Sequence, residues 1–159
     1  MSQENLTTSL DFANPQIRLS FDKFDMADAL KLGLTILELA QARNHVVSIG
    51  VDMGEQIIFR AALLGTNADY QTWVDRKFNA VRRFAKSSYA LEVGLQSNPE
   101  FANERALDPT RFALVGGAVP ILIGNALVGV VGVAGLQSCQ DHALVVDALL
   151  QVGAEVVEQ

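Results

Sequence analysis

The sequence predicts an α+β fold, a central antiparallel sheet with helices packed against it, on three observations. An amphipathic helix precedes a hairpin pattern, a second amphipathic helix follows it, and a glycine-punctuated, valine-rich stretch leads into a last helix. Antiparallel strand runs with helices segregated around them belong to this class rather than to a doubly wound sheet.

Residues 1–15 are polar, lack periodicity and end at Asn14-Pro15, and read as a loose N-terminal arm. The remainder, 16–159, reads as one domain, a length within the usual range of about 50–200 residues for a single core. Ile17, Leu19 and Phe21 alternate as in a short strand. A helix is expected from Met26 to about Arg43-Asn44, with Asp25 or Asp28 in its first turn and Leu30, Leu34, Leu37 and Ala40 at helical spacing.

The β-branched run Val46–Val51, a turn at Asp52-Met53-Gly54 and the return Gln56–Leu63 make a hairpin. A second helix is expected from Ala68 to Ser88, followed by an irregular piece bounded by Pro99 and Pro109. Glycines at 116, 117, 124, 129, 132 and 135 divide the next stretch into three strands: Phe112–Val115, Val119–Ile123 and Leu127–Val133. With the hairpin this gives a sheet of about five strands. Ser138 and Asp141 have capping-box spacing, and the last helix is expected to reach about Val157.

Half the residues are hydrophobic, 19% are charged, and the mean hydropathy is +0.23. That composition excludes intrinsic disorder and points to apolar surface buried in a homo-oligomer. A net charge of −6 argues against nucleic acid as a partner. No basic, apolar leader opens the chain and no run of about 18 apolar residues interrupts it, so the expectation is a cytoplasmic protein without a membrane partner. The single cysteine, Cys139, excludes an internal disulfide and a multi-cysteine metal site.

On a wheel of the second helix, Trp73, Val74, Phe78, Ala80, Val81, Phe84 and Ala85 share an apolar arc that also contains Lys77. An ammonium on that face needs a snorkelling route, an internal partner or a ligand. Arg76, Arg82, Arg83 and Lys86 fall outside the arc, as a solvated face, an oligomer contact or an anion site. His142 lies on the buried stripe of the last helix, where the helix N-terminus favours a neutral imidazole. It reads as a core histidine or as an acid, base or ligand. The spacing Gly129-x-x-Gly132-x-x-Gly135 departs from the dinucleotide fingerprint, and Cys139 near His142 lacks a third orienting group.

Two stretches, WVDRKFNAVRRFAKSSYA (73–90) and GGAVPILIGNALVGVVGVAGLQSCQDHALVV (116–146), together resemble the HbpS-like, or GlcG/PduO-type, haem-degrading and haem-binding family. The matching residues are Trp73, Arg76, Lys77, Arg83, Ser87, Ser88, Gly116, Gly117, Pro120, Gly129, Gly132, Gly135, Asp141 and His142. The resemblance spans 26–157 and implies a profilin-like fold, assembly into dimers or larger oligomers, and haem as a cofactor of some members. It also implies a histidine before the Gly-Gly pair, an aromatic before the proline and a serine in the V-x-G-L turn. This chain has Val115, Val119 and Ala134 there.

The reading that unites these points is a small-molecule binder, haem or a smaller organic anion. Its candidate site comprises Trp73, Arg76, Lys77, Arg83, Gly116, Gly117, Gly135, Asp141 and His142. Backbone N–H groups of the Gly135–Asp141 segment and the Lys77 ammonium would hold the anion, Trp73 and Phe84 would form an aromatic wall, and His142 would be the axial ligand if haem binds. An enzyme of haem or small carbonyl or carboxylate metabolism, with His142 as acid or base, and a non-catalytic oligomeric scaffold are the alternatives.

Overall fold

The computed structural model describes residues 11–157. Its elements are β1 (Leu19–Ser20), α1 (Met26–Ala42), β2 (Ser48–Met53), β3 (Gln56–Ala62), α2 (Ala68–Phe84), α3 (Ser88–Ser97), α4 (Phe101–Glu104), β4 (Ala118–Ile123), β5 (Ala126–Ala134), α5 (Ser138–Gln151) and β6 (Glu155–Val156). An antiparallel sheet of order β3-β2-β5-β4 forms the centre, and β1 pairs with β6 apart from it.

The sheet is covered on both faces, which explains the valine-rich strands. Val131 and Val133 of β5, Ile49 and Val51 of β2, and Val119 and Ile121 of β4 point towards α1 and α5. The alternate residues Val130, Ala134 and Ala118 meet Val74, Phe78 and Val81 of α2. Because side chains alternate along a strand, two-sided cover produces a continuous apolar run. Gly132 faces α2, and a Cβ there would stand 2.9 Å from the Phe78 ring, so this glycine sets how closely the helix approaches. Pro120 is tolerated because β4 is an edge strand.

α1 starts as expected. Asp25 and Asp28 exchange reciprocal hydrogen bonds as a capping box. The hairpin also forms, with its turn at Gly54-Glu55. Three sequence expectations are corrected. The second helix stops at Phe84 because Ala85 adopts a left-handed conformation (φ 54°) and Ser87 caps a new helix, its Oγ accepting from the Ala90 N–H.

Residues 112–115 form no strand, since the Ala113 N–H donates to Arg76 O of α2 instead of to the sheet. The central sheet therefore has four strands. The last helix ends at Gln151, after which Gly153 (φ 108°) turns the chain into β6. Of the expected loose arm, residues 1–10 lie outside the described residues. Residues 11–15 lie against the body, with Phe12 packed on the core and Asn14 bonded to His142.

Candidate functional site

Helical spacing places Tyr70, Trp73 and Lys77 on one face of α2, each about one turn from the next. Opposite them lie the end of β5, the turn after it and the first turn of α5. Between these elements is a cleft of about 370 Å³, lined by Asp69, Tyr70, Trp73 and Lys77 of α2, Val115, then Ala134, Gly135 and Leu136, and Asp141 of α5.

The floor is a buried ion pair. Lys77 Nζ donates to Asp141 Oδ2 at 3.2 Å and to Val133 O at 3.1 Å, and both side chains are almost sealed, at 4% and 2% exposure. Asp141 Oδ1 accepts from the Leu136 N–H at 3.0 Å, which fixes the carboxylate across the β5–α5 turn. Burial pushes the Lys77 ammonium below the usual lysine value, and the attraction of Asp141 offsets this in part. Burial also raises the Asp141 carboxyl to about 6, against the opposing pull of Lys77 and the backbone donors. Both shifts favour sharing the proton within the pair.

The expected anion site is therefore already occupied, because Asp141 itself is the anion that Lys77 and the backbone N–H groups hold. The expected capping box is absent for the same reason: Asp141 is engaged by Leu136 and Lys77, while Ser138 Oγ donates to Glu92 Oε2 at 2.9 Å.

The paired glycines let this floor form. Gly117 has φ 137°, and a Cβ on it would stand 2.6 Å from Lys77 Nζ and from Val133 O. Gly116 donates its N–H to Glu92 Oε1 at 3.0 Å and leaves no space for a side chain beside Tyr89. Gly135 (φ 147°) lines the cleft, where a Cβ would collide with Val46 O.

Other candidate residues lie apart from the cleft lining. Arg76 stacks on Trp73 at 4.3 Å and donates from Nε to Pro109 O. Arg83 lies over Phe112 at 4.9 Å. Both tie the segment around residues 109–112 to α2. Phe84 packs on Phe101, at 5.3 Å between ring centroids, so the second aromatic of the cleft is Tyr70. Tyr70 was legible in principle, since it lies one turn before Trp73 on the same face.

His142 is fully buried on another side of α5. Its Nε2 donates to Asn14 O at 3.0 Å, its ring lies 5.0 Å from that of Tyr89, and burial lowers its pKa. Val115 and Ala134, two of the positions that depart from the expected pattern, do line the cleft and make its inner wall apolar.

Residues 24–150 match the family described as haem degrading protein HbpS-like. The chain belongs to the HbpS-like family. A UPF0303 protein of Streptomyces avermitilis is 40% identical over 136 residues, covering 84% of this chain and 83% of that protein. A UPF0303 protein of Rhizobium etli is 39% identical over 138 residues, covering 86% and 84%. Solved structures share the fold. Ybr137w superposes with a TM-score of 0.75 at 24% identity, covering 83% of this chain and 80% of that one. HbpS gives 0.67 at 18%, covering 84% and 93%, and the PduOC:heme complex gives 0.70 at 14%, covering 85% and 99%.

Proposed function

We propose that this HbpS-like protein binds a small organic molecule in the cleft between α2 and the β5–α5 turn. The observation that carries this reading is the Lys77–Asp141 pair, a desolvated ammonium and carboxylate at the floor of a cleft with an aromatic wall. Charged groups kept at such cost beneath a cavity, with pKa values pushed towards each other, mark functional sites. The pair is neutral as a whole and Asp69 adds negative charge at the lining, so the favoured ligand is an uncharged or weakly charged molecule. An apolar or aromatic body would lie against Trp73 and Tyr70, and an oxygen acceptor would meet Lys77. A volume of about 370 Å³ suits a ligand at the small end of the usual range.

Haem matches these residues poorly. Tyr70 and Lys77 are the lining side chains able to ligate iron, Lys77 is already engaged by Asp141 and Val133 O, and Asp69 and Asp141 would face the propionates. His142, the expected axial ligand, is sealed beneath Asn14.

Trp73 is the only tryptophan of the chain and lies in the cleft, so its fluorescence reports occupancy directly. Titration with small aromatic alcohols and aldehydes is expected to give a saturable change, weakened about tenfold by Tyr70→Ala, whereas the matching carboxylates bind more weakly. A linear response of equal slope in both proteins would overturn the reading.

Self-association has its own support. Met26, Leu30 and Leu34 form a stripe at i, i+4 and i+8 on α1 and are 53%, 46% and 50% exposed. Sedimentation is expected to show a mass above that of one chain, reduced by Leu30→Glu with Leu34→Glu.

A further inference from the structure

Resting on that reading, we propose that Lys77 captures a carbonyl compound, an aldehyde or ketone with an apolar body, as a covalent imine, with Asp141 moving the protons. The argument begins with the geometry of the amine. Val133 O and Asp141 Oδ2 take two of the three N–H directions of Nζ, and neither Val115 nor Ala134 beside it offers an acceptor side chain for the third. Gly117, lacking a Cβ, leaves the space that Nζ occupies. The other lysines, Lys23, Lys31 and Lys86, are exposed, whereas Lys77 is buried beside a carboxylate, and withdrawal from water is one of the ways in which a lysine is activated as a nucleophile.

Asp141 supplies the second requirement. It is held by the Leu136 N–H at one oxygen, which leaves the other facing the amine. Burial raises the pKa of Asp141 and lowers that of Lys77, which narrows the gap in basicity that a proton crosses along the hydrogen bond between them.

The sequence of bond changes balances without a redox partner. Lys77 ammonium gives one proton to Asp141, and the freed nitrogen lone pair attacks the carbonyl carbon. The carbonyl π electrons move to oxygen, which takes the proton from Asp141 to give a carbinolamine. A proton then moves from nitrogen, through Asp141, to the hydroxyl group. Water leaves with its bonding pair, and the nitrogen lone pair closes the C=N bond. One ammonium and one carbonyl thus yield one protonated imine and one water. The aromatic wall of Trp73 and Tyr70 favours a flat carbonyl substituent, and Asp69 disfavours an anionic one.

The test uses benzaldehyde with sodium cyanoborohydride at pH 7, and peptide mass spectrometry to locate the reduced benzyl adduct. Lys77 is expected to be modified about tenfold faster than Lys23, Lys31 or Lys86 in the same molecules. Lys77→Arg abolishes that fast adduct, and Asp141→Asn slows it while leaving the site of attachment unchanged. The comparison among lysines within the wild-type chain needs no variant to fold. Benzyl alcohol, which has no carbonyl, serves as the binding control through Trp73 fluorescence. If benzyl alcohol saturates the Trp73 response while Lys77 reacts no faster than the exposed lysines, the imine is overturned and the binding cleft stands. If neither compound changes Trp73 fluorescence and no fast adduct forms, both readings fall.

Discussion

Gly117 and Lys77 are spatially coupled: the ammonium nitrogen lies where a side chain on residue 117 would begin, 2.6 Å from the position of its Cβ. The backbone there is in a region that L side chains rarely adopt, at φ 137°. Gly117→Ala therefore meets strain and a collision with a group that is itself fixed by two hydrogen bonds. The variant is expected to lose about 2–3 kcal/mol of stability, read as a lower urea midpoint with an unchanged slope. A loss below about 0.5 kcal/mol would overturn both the backbone strain at residue 117 and the fixed position of Lys77.

The Lys77–Asp141 pair gives stability a distinctive pH dependence. Asp141 has a folded pKa of about 6, above its ordinary 3.8, so between those values the folded chain binds more protons than the unfolded one. Its contribution is fully present below about 3.8 and is lost as pH rises through about 6. Relative to Asp141→Asn, which stays neutral and similar in shape, the wild type is expected to lose up to about 3 kcal/mol across that window. Denaturant midpoints at a series of pH values measure it. A difference that stays flat from pH 4 to pH 6 would falsify the assignment.

His142 titrates in the opposite sense. Burial lowers its pKa below the ordinary 6.5, so the folded chain binds fewer protons than the unfolded one beneath that value. Stability from the neutral ring is present above 6.5 and is lost as pH falls through the lowered pKa. Measured against His142→Gln, the wild type should weaken on acidification, because a charged ring would be buried beneath Asn14 and Tyr89. For the same reason His142→Ala is expected to leave the absorbance response to haemin unchanged. A one-to-one Soret shift that this variant removes would restore His142 as a ligand.

Asp52 holds the opposite end of α2. It is buried and receives Arg60 at 2.9 Å and Arg82 at 2.7 Å, and both guanidinium groups lie over the Phe78 ring. Asp52→Ala leaves Arg82 without a carboxylate partner and Arg60 with Asp75 alone, at 2.8 Å, and a loss of about 2 kcal/mol is expected. Arg82→Met leaves the Arg60 pair intact and should cost less. Equal losses in the two variants would mean that Asp52 acts through Arg82 alone and that its pair with Arg60 contributes nothing.

Local pattern was readable where the information is local. The Asp25 cap of α1, the hairpin, the two-faced apolar run of β5 and the odd lysine in the apolar arc of α2 all follow from spacing within a few residues. The break at Ala85 was legible only as Ser87-Ser88, a capping signal inside an otherwise helical pattern. The strand expected at 112–115 failed because its backbone bonds to α2, a choice that a short apolar run cannot reveal.

By itself, then, the sequence determined that Lys77 faces inward and that His142 is buried, because burial follows from helical periodicity. Only the tertiary structure decided what each residue meets there. Lys77 finds Asp141, 64 residues away, beneath a cleft, while His142, adjacent to Asp141 in the chain, finds Asn14 instead. Neighbours on a helix are separated by about 100°. One residue of the pair therefore points into the candidate site and the next points away from it.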